Sequence, residues 1–157
     1  ADLPDLRAYC YVVAGIVGEL LTGLFLHHHP MPEAAPALHA RAATFGEALQ
    51  LVNVLKDELD DANEGRTFLP SGVAREEVIA CARTDLAAAA EYVATLERAG
   101  APSGFVAFTA VPMRLARAAL DRLEADGPGA KVPREEVRRL LDDVADRLAR
   151  GVSLLDA

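Results

Sequence analysis

The chain has 157 residues, room for one domain around a single core. Hydrophobic residues make up 52 % with Ala foremost and aromatics only 5 %, a composition that favours helix over strand. A net charge of −8 without any basic patch excludes nucleic acid as a partner, and Cys10 and Cys81, in no metal-type spacing, suggest a reducing cytoplasm.

Five helices are predicted. The first runs from about Asp5 to Leu26, and its segment from Ala8 to Leu26 carries a single charge, Glu19. Such a segment is long enough to span a bilayer, where a central acid costs ~3 kcal/mol. Its flanks lack the Lys/Arg asymmetry of a span, so it reads as a core helix buried on all sides, with a membrane anchor or peripheral membrane contact as the lesser alternative. No basic n-region precedes it, which removes the signal-peptide pattern. The chain opens on Ala1 instead of Met, which suggests a processed or cut product.

The loop from His27 to Pro36 is rich in proline. Its consecutive His27, His28 and His29 cannot all face one ion, so a surface loop is expected there instead of a metal site, with His39 further on. The second helix extends from about Ala37 to Asn63 and stops at Gly65. The third, about Arg75 to Ala99, ends at Gly100 with Pro102 beyond. The fourth, about Ser103 to Ala125, holds Pro112 and should kink there. After Asp126-Gly127-Pro128-Gly129 a fifth helix starts with Pro133 in its first turn and Glu135 and Glu136 at its positive end. No repeat or dividing linker is present, so residues 1–157 form a single all-helical unit, a helical bundle.

The chemistry concentrates on the second helix. Asn53, Asp57 and Asp61 are four apart, and Gln50 precedes Asn53 by three, so all four share one face. Leu49, Val52, Leu55 and Leu59 supply apolar positions elsewhere around the helix. Asp57 and Asp61, ~6 Å apart by Cβ, can both point at one cation. Mg²⁺ takes one or two carboxylates and completes its octahedron with water and substrate phosphate. Asn53 and Gln50 add neutral oxygens, while Lys56 and Arg66 can meet phosphate. The plain alternative is a solvated acidic patch of Asp57, Glu58, Asp60 and Asp61, although a solubility face has no use for amides on the same stripe as acids.

At this helix the sequence resembles the squalene/phytoene synthase family, the head-to-head prenyl transferases. The likeness rests on Gln50-x-x-Asn53-x-x-Lys56-Asp57-x-x-x-Asp61 followed by Gly65-Arg66, similar to the family's second aspartate-rich motif. It continues in the first helix, from Tyr9-Cys10-Tyr11 through Val13-Ala14-Gly15-Ile16-Val17-Gly18 to Leu24-Phe25, in Phe108-Thr109-Ala110-Val111-Pro112, and in Lys131-Val132, so that it covers nearly the whole chain in order. The resemblance implies an all-α isoprenoid synthase fold, of which the C-terminal half is here. It implies that Asn53, Asp57 and Asp61 hold Mg²⁺ on farnesyl or geranylgeranyl diphosphate, with Gln50, Lys56 and Arg66 binding the diphosphate. It implies further that Tyr9 is catalytic, near the reacting carbons. Lys56 stands where the family has Arg, which keeps the charge and loses the bidentate fork. NADPH is implied only where squalene is the product.

One departure is large. The family carries a first aspartate-rich motif upstream of the Tyr segment, and only eight residues precede Tyr9. Asp142, Asp143 and Asp146 form an acidic cluster that the resemblance gives no ligand role, so they read as a solvated face. The expected partner is therefore a complementary chain carrying the first motif, without which this chain should be inactive. The alternative is a non-catalytic family member that binds a lipid or a partner protein. Ala14, Gly15 and Gly18 serve either close helix packing or room for an isoprenoid tail. Phe25, Phe105 and Phe108 are core residues by pattern and tunnel wall by resemblance alone.

Overall fold

The computed structural model describes residues 2–155, and among them all regular elements are helical. They are α1 (Leu3–Cys10), a π-turn (Tyr11–Gly15), α2 (Ile16–His28), α3 (Ala35–Lys56), α4 (Glu58–Asn63), α5 (Arg75–Arg98), α6 (Ser103–Asp126) and α7 (Arg134–Arg150). Asp2 and Asp5 exchange side chain-to-backbone hydrogen bonds of 2.9 and 3.1 Å, a capping box that starts α1. Within the π-turn the Ile16 N–H donates to the Tyr11 carbonyl, five residues back, so α1 and α2 join without a break.

The central element is α3, which packs against α1, α2, α5 and α6. Leu38, Leu51 and Leu55 of α3 are fully buried, facing a core completed by Leu86, Val93 and Leu96 of α5 and Met113, Leu120 and Leu123 of α6. The α2–α3 contact is backbone to backbone. A Cβ on Gly18 would overlap the Ala42 carbonyl, and one on Gly46 would overlap the Ala14 carbonyl, so only glycine allows this approach. Gly18 thus serves close packing, and it also lines an apolar cavity. Thr22 and Tyr92 share a buried 2.8 Å hydroxyl–hydroxyl hydrogen bond that ties α2 to α5. After α7, the Leu154 N–H donates to Glu97 at 2.7 Å and its carbonyl accepts from Arg114 at 3.2 Å, fixing the buried Leu154 against α5 and α6.

Several expectations need correction. The first helix continues to His28, so His27 and His28 are helical and stack edge to face; the loop is shorter than expected, and α3 begins at Ala35. The apolar N-terminal segment is not buried on all sides. It is long and apolar enough to cross a membrane, yet only 28 % of its most apolar window is buried, with Val12 65 % and Leu20 62 % exposed. The physical reason is that Gly15, Gly18, Thr22 and Phe25 face inward while no element of the described residues covers the opposite side. Leu59 is exposed and is not a core residue; it lies under the backbone of Gly129. Pro112 lies inside α6, as expected, whereas Pro133 sits just before α7 as its cap and not in its first turn. Asp142 and Asp146 are exposed, as a solvated face requires, but Asp143 pairs with Arg114 and Arg147, each at 2.8 Å, and so fastens α7 to α6. Cys10 and Cys81 are free thiols.

Candidate active site

The expected ligand stripe lies across the junction of α3 and α4. Asp57 leaves helical geometry (φ −94°, ψ 5°), which divides the long second helix in two. The register nevertheless survives, because the Asp57 N–H bonds the Asn53 carbonyl at 2.9 Å and the Asp61 N–H bonds the Asp57 carbonyl at 2.8 Å. Asn53, Asp57 and Asp61 therefore remain one turn apart. Gln50 is half-buried one turn before Asn53.

Asn53 and Asp57 converge on one cation. The Lys56 ammonium donates to the Asn53 Oδ1 at 3.2 Å and lies 3.5 Å from the Asp57 Oδ2. These three residues line a cavity of about 600 Å³ with Lys131, which comes from the loop before α7 and also approaches Asp60 at 3.6 Å. The walls of this mouth include Leu49 and Pro112, and both residues also line a second cavity of about 580 Å³ between α2, α3 and α6. That second cavity is apolar, bounded by Leu21, Phe25, Phe45 and Phe108. At its far end Phe25 stacks on Phe105 with centroids 4.3 Å apart and meets Phe108 edge-on at 6.4 Å. A mouth bearing Lys56 and Lys131 thus adjoins an apolar chamber, with Leu49 and Pro112 lining both.

Asp61 does not share that mouth. It lines a smaller cavity of about 120 Å³ with Glu58, Arg66 and Phe68. The Arg66 guanidinium holds it through Nε at 3.3 Å and Nη2 at 3.0 Å, while also pairing with Glu64 at 2.6 Å. Those bonds, the one to Asp61 foremost, push the Arg66 pKa up. Asp57 and Asp61 therefore face different cavities, against the expectation of one shared cation. Arg66 belongs to the Asp61 side, so Lys56 and Lys131 are the cations at the mouth. Tyr9 is half-buried and stacks on Phe68 at 5.1 Å, which places it beside the Asp61–Arg66 cavity.

Sequence reasoning missed Lys131 as a site residue, since it reaches the mouth across a loop more than seventy positions away and no spacing connects it to Asn53. It also missed a charged cluster behind the site. Arg7 bonds Glu47 at 2.9 Å, and Asp85 and the Cys81 thiol at 2.8 Å each. Glu47 and Asp85 are buried. Burial raises the Glu47 carboxyl pKa, with Arg7 opposing and Asp85 and Glu19 adding to it. The Cys10 thiol is pushed up to about 12, chiefly by burial and next by the Glu47 charge. The one visible signal was an acid within the run Phe45-Gly46-Glu47-Ala48, an unusual neighbour for packing residues.

Residues 1–78, which carry Tyr9 and the complete Gln50-to-Arg66 stretch, match the family described as squalene/phytoene synthase. A bifunctional lycopene cyclase/phytoene synthase of Arthroderma gypseum is 41 % identical over 76 residues, 46 % of this chain and 13 % of that protein. The phytoene synthase of Thermus thermophilus is 35 % identical over 71 residues, 45 % of this chain and 22 % of that protein. A squalene synthase of Candida albicans is 38 % identical over 71 residues, 45 % of this chain and 16 % of that protein. The matched segment is thus less than a quarter of each relative, and the stretches Phe108–Pro112 and Lys131-Val132 lie beyond the family match. Through residues 1–78, this chain belongs to the squalene/phytoene synthase family.

Proposed function

We propose that the chain supplies the diphosphate-binding half of a Mg²⁺-dependent prenyltransferase site for head-to-head condensation, as in squalene or phytoene synthesis. The observation that carries this reading is the adjacency, across Leu49 and Pro112, of a cation-bearing mouth and an apolar chamber, an arrangement suited to an amphiphile with an anionic head and a hydrocarbon tail. Farnesyl and geranylgeranyl diphosphate have that chemistry, and relatives named phytoene and squalene synthases point the same way.

The donor set fits magnesium. Asn53 and Asp57 offer oxygens that already converge on a single cation, the Lys56 ammonium, and Asp61 and Gln50 extend the stripe by one turn on either side. Asn53 and Asp57 would hold the ion, with Asp61 joining them once Arg66 releases it, and the ion when bound would neutralise the charge of a leaving diphosphate. Lys56 and Lys131 meet phosphate oxygens at the mouth, and Arg66 does so once it releases Asp61. Phe25, Phe45, Leu49 and Phe108 give the tail apolar walls, and exclusion of water, completed by the complementary polypeptide, would prolong the life of an allylic cation after C–O ionisation. Tyr9, stacked on Phe68, offers a ring face and a hydroxyl to a developing positive charge. A complementary polypeptide supplies the first aspartate-rich motif, and the isolated chain does not couple prenyl diphosphates. NADPH enters only where squalene is the product.

The test is a pair of thermal melts. Mg²⁺ with farnesyl diphosphate raises the melting temperature of the wild type, because a ligand that binds only the folded state stabilises it by mass action. Asp57→Asn with Asp61→Asn trades like-charge repulsion against the exposed pairs with Lys56 and Arg66, leaves the metal-free protein about as stable, and abolishes the ligand-dependent rise. If wild type and double variant respond alike, the stripe is a solvated acidic face.

A further inference from the structure

The short helix α4 reads Glu58-Leu59-Asp60-Asp61-Ala62-Asn63, and its one large apolar side chain stays out of the core. Leu59 is 48 % exposed, and its Cδ1 lies only 2.8 Å from where a Cβ on Gly129 would stand. Gly129 belongs to the loop before α7 and has a φ of +79°; next to it the Ala130 N–H donates to the Gly127 carbonyl at 3.3 Å. Both the backbone angle and the closeness of Leu59 call for glycine at 129. Beneath this contact α4 is tied to α5, because Glu58 pairs with Arg75 at 3.1 Å.

The same loop carries Lys131 to the mouth lined by Asn53, Lys56 and Asp57. Arg122 braces the base of the loop, pairing with Asp126 at 3.6 Å and with Glu136 at 2.6 Å. Ala130 and Val132 pack on the core from within it. Lys131 lies 3.6 Å from Asp60, yet these side chains are 68 and 65 % exposed, and an ion pair so exposed contributes little. Gly127 and Gly129, both at positive φ, make the backbone between them permissive of other conformations. Against α4 the loop therefore rests on Leu59 more than on charge. A diphosphate at the mouth offers Lys131 more negative charge than the Asp60 carboxylate does. A loop already seated spares the ordering cost that binding would otherwise carry.

We propose that Leu59 is a positioning residue: by propping Gly129 it seats the loop on α4, so that Lys131 turns from Asp60 to a bound diphosphate without the loop having to be ordered first. The inference rests on the diphosphate reading of the mouth. Its test is calorimetry of the full chain with Mg²⁺ and farnesyl diphosphate at low salt, beside hydrogen exchange of residues 127–132 without ligand. Leu59→Ala raises the Kd about threefold, and Leu59→Met, which keeps the prop, restores it. In a Lys131→Ala background Leu59→Ala changes the Kd no further, because Leu59 acts through Lys131. Exchange of the loop amides rises about tenfold in Leu59→Ala and stays at the wild-type rate in Leu59→Met and Lys131→Ala. Leu59 is half exposed, and circular dichroism verifies that each variant is folded. Loop exchange that Leu59→Ala leaves unchanged overturns the proposal. So does a loss of affinity that is the same with and without Lys131, the mark of a merely structural role. A wild type that binds no farnesyl diphosphate overturns the diphosphate reading and this assignment together, whereas normal wild-type binding with an unresponsive Leu59→Ala overturns the assignment alone.

Discussion

Arg7→Met removes the one cation between two buried carboxylates, Glu47 and Asp85, which are 9 and 6 % exposed and lie 2.9 and 2.8 Å from the guanidinium. Deleting one partner of a buried ion pair costs about 3–5 kcal/mol, because the other charge is left without compensation. The Arg7 side chain itself keeps 34 % of its surface in solvent, and Met preserves the packing of its stem. Both facts place the expected loss lower, at about 2–3 kcal/mol, or about 5–10 °C in Tm for a domain of this size. The loss also depends on pH in a definite direction. Burial already holds the Glu47 carboxyl above its ordinary 4.5 despite Arg7, and removing Arg7 raises it further. A carboxyl whose pKa is raised by folding contributes stability below its ordinary value and loses that contribution as pH rises through the folded value. The variant therefore loses more than the wild type on that rise. Its deficit is greatest near neutral pH and shrinks on acidification towards 4.5. Urea titrations and thermal melts of both proteins at about pH 7 and about pH 5 measure it. A deficit below ~1 kcal/mol, or one of equal size at both pH values, would refute the view that Arg7 is the clasp of α1 on α3 and α5.

Three further outcomes are expected. Gly46→Ala drives a methyl into the Ala14 carbonyl and separates the π-turn from α3, costing about 3 kcal/mol in chemical denaturation, and a neutral result would remove the backbone contact as a determinant of the fold. Tyr9→Phe keeps the stack on Phe68, so the melting temperature is unchanged, whereas in the assembled enzyme kcat falls with little change in KM; an unchanged kcat leaves Tyr9 a packing residue. Lys131→Ala, at a side chain 68 % exposed, weakens binding of farnesyl diphosphate several-fold, about 1 kcal/mol by calorimetry at low salt, and less at high salt. Equal affinities would show that the diphosphate does not reach the loop before α7.

Local chemistry is what the sequence by itself determined about this protein. Ala-rich periodicity, Gly65, Gly100 and the Asp126–Gly129 break set the helices to within a few residues, since propensity and chain breakers act over a single turn. The spacing of Asn53, Asp57 and Asp61 was legible for the same reason, and it held across the interruption at Asp57 because the backbone bonds on both sides persisted. Only tertiary structure decided what those residues face. Whether Asp57 and Asp61 share a cavity depends on Arg66 clamping one of them and on a loop that brings Lys131 to the other, and neither contact is encoded by local spacing. The first helix shows the same division. Its apolar run is a property of the sequence, but the burial of a helix is set by how many neighbours surround it. Here α3 covers one side, so Gly15, Gly18 and Thr22 are buried while Val12 and Leu20, chemically suited to a core, remain in water.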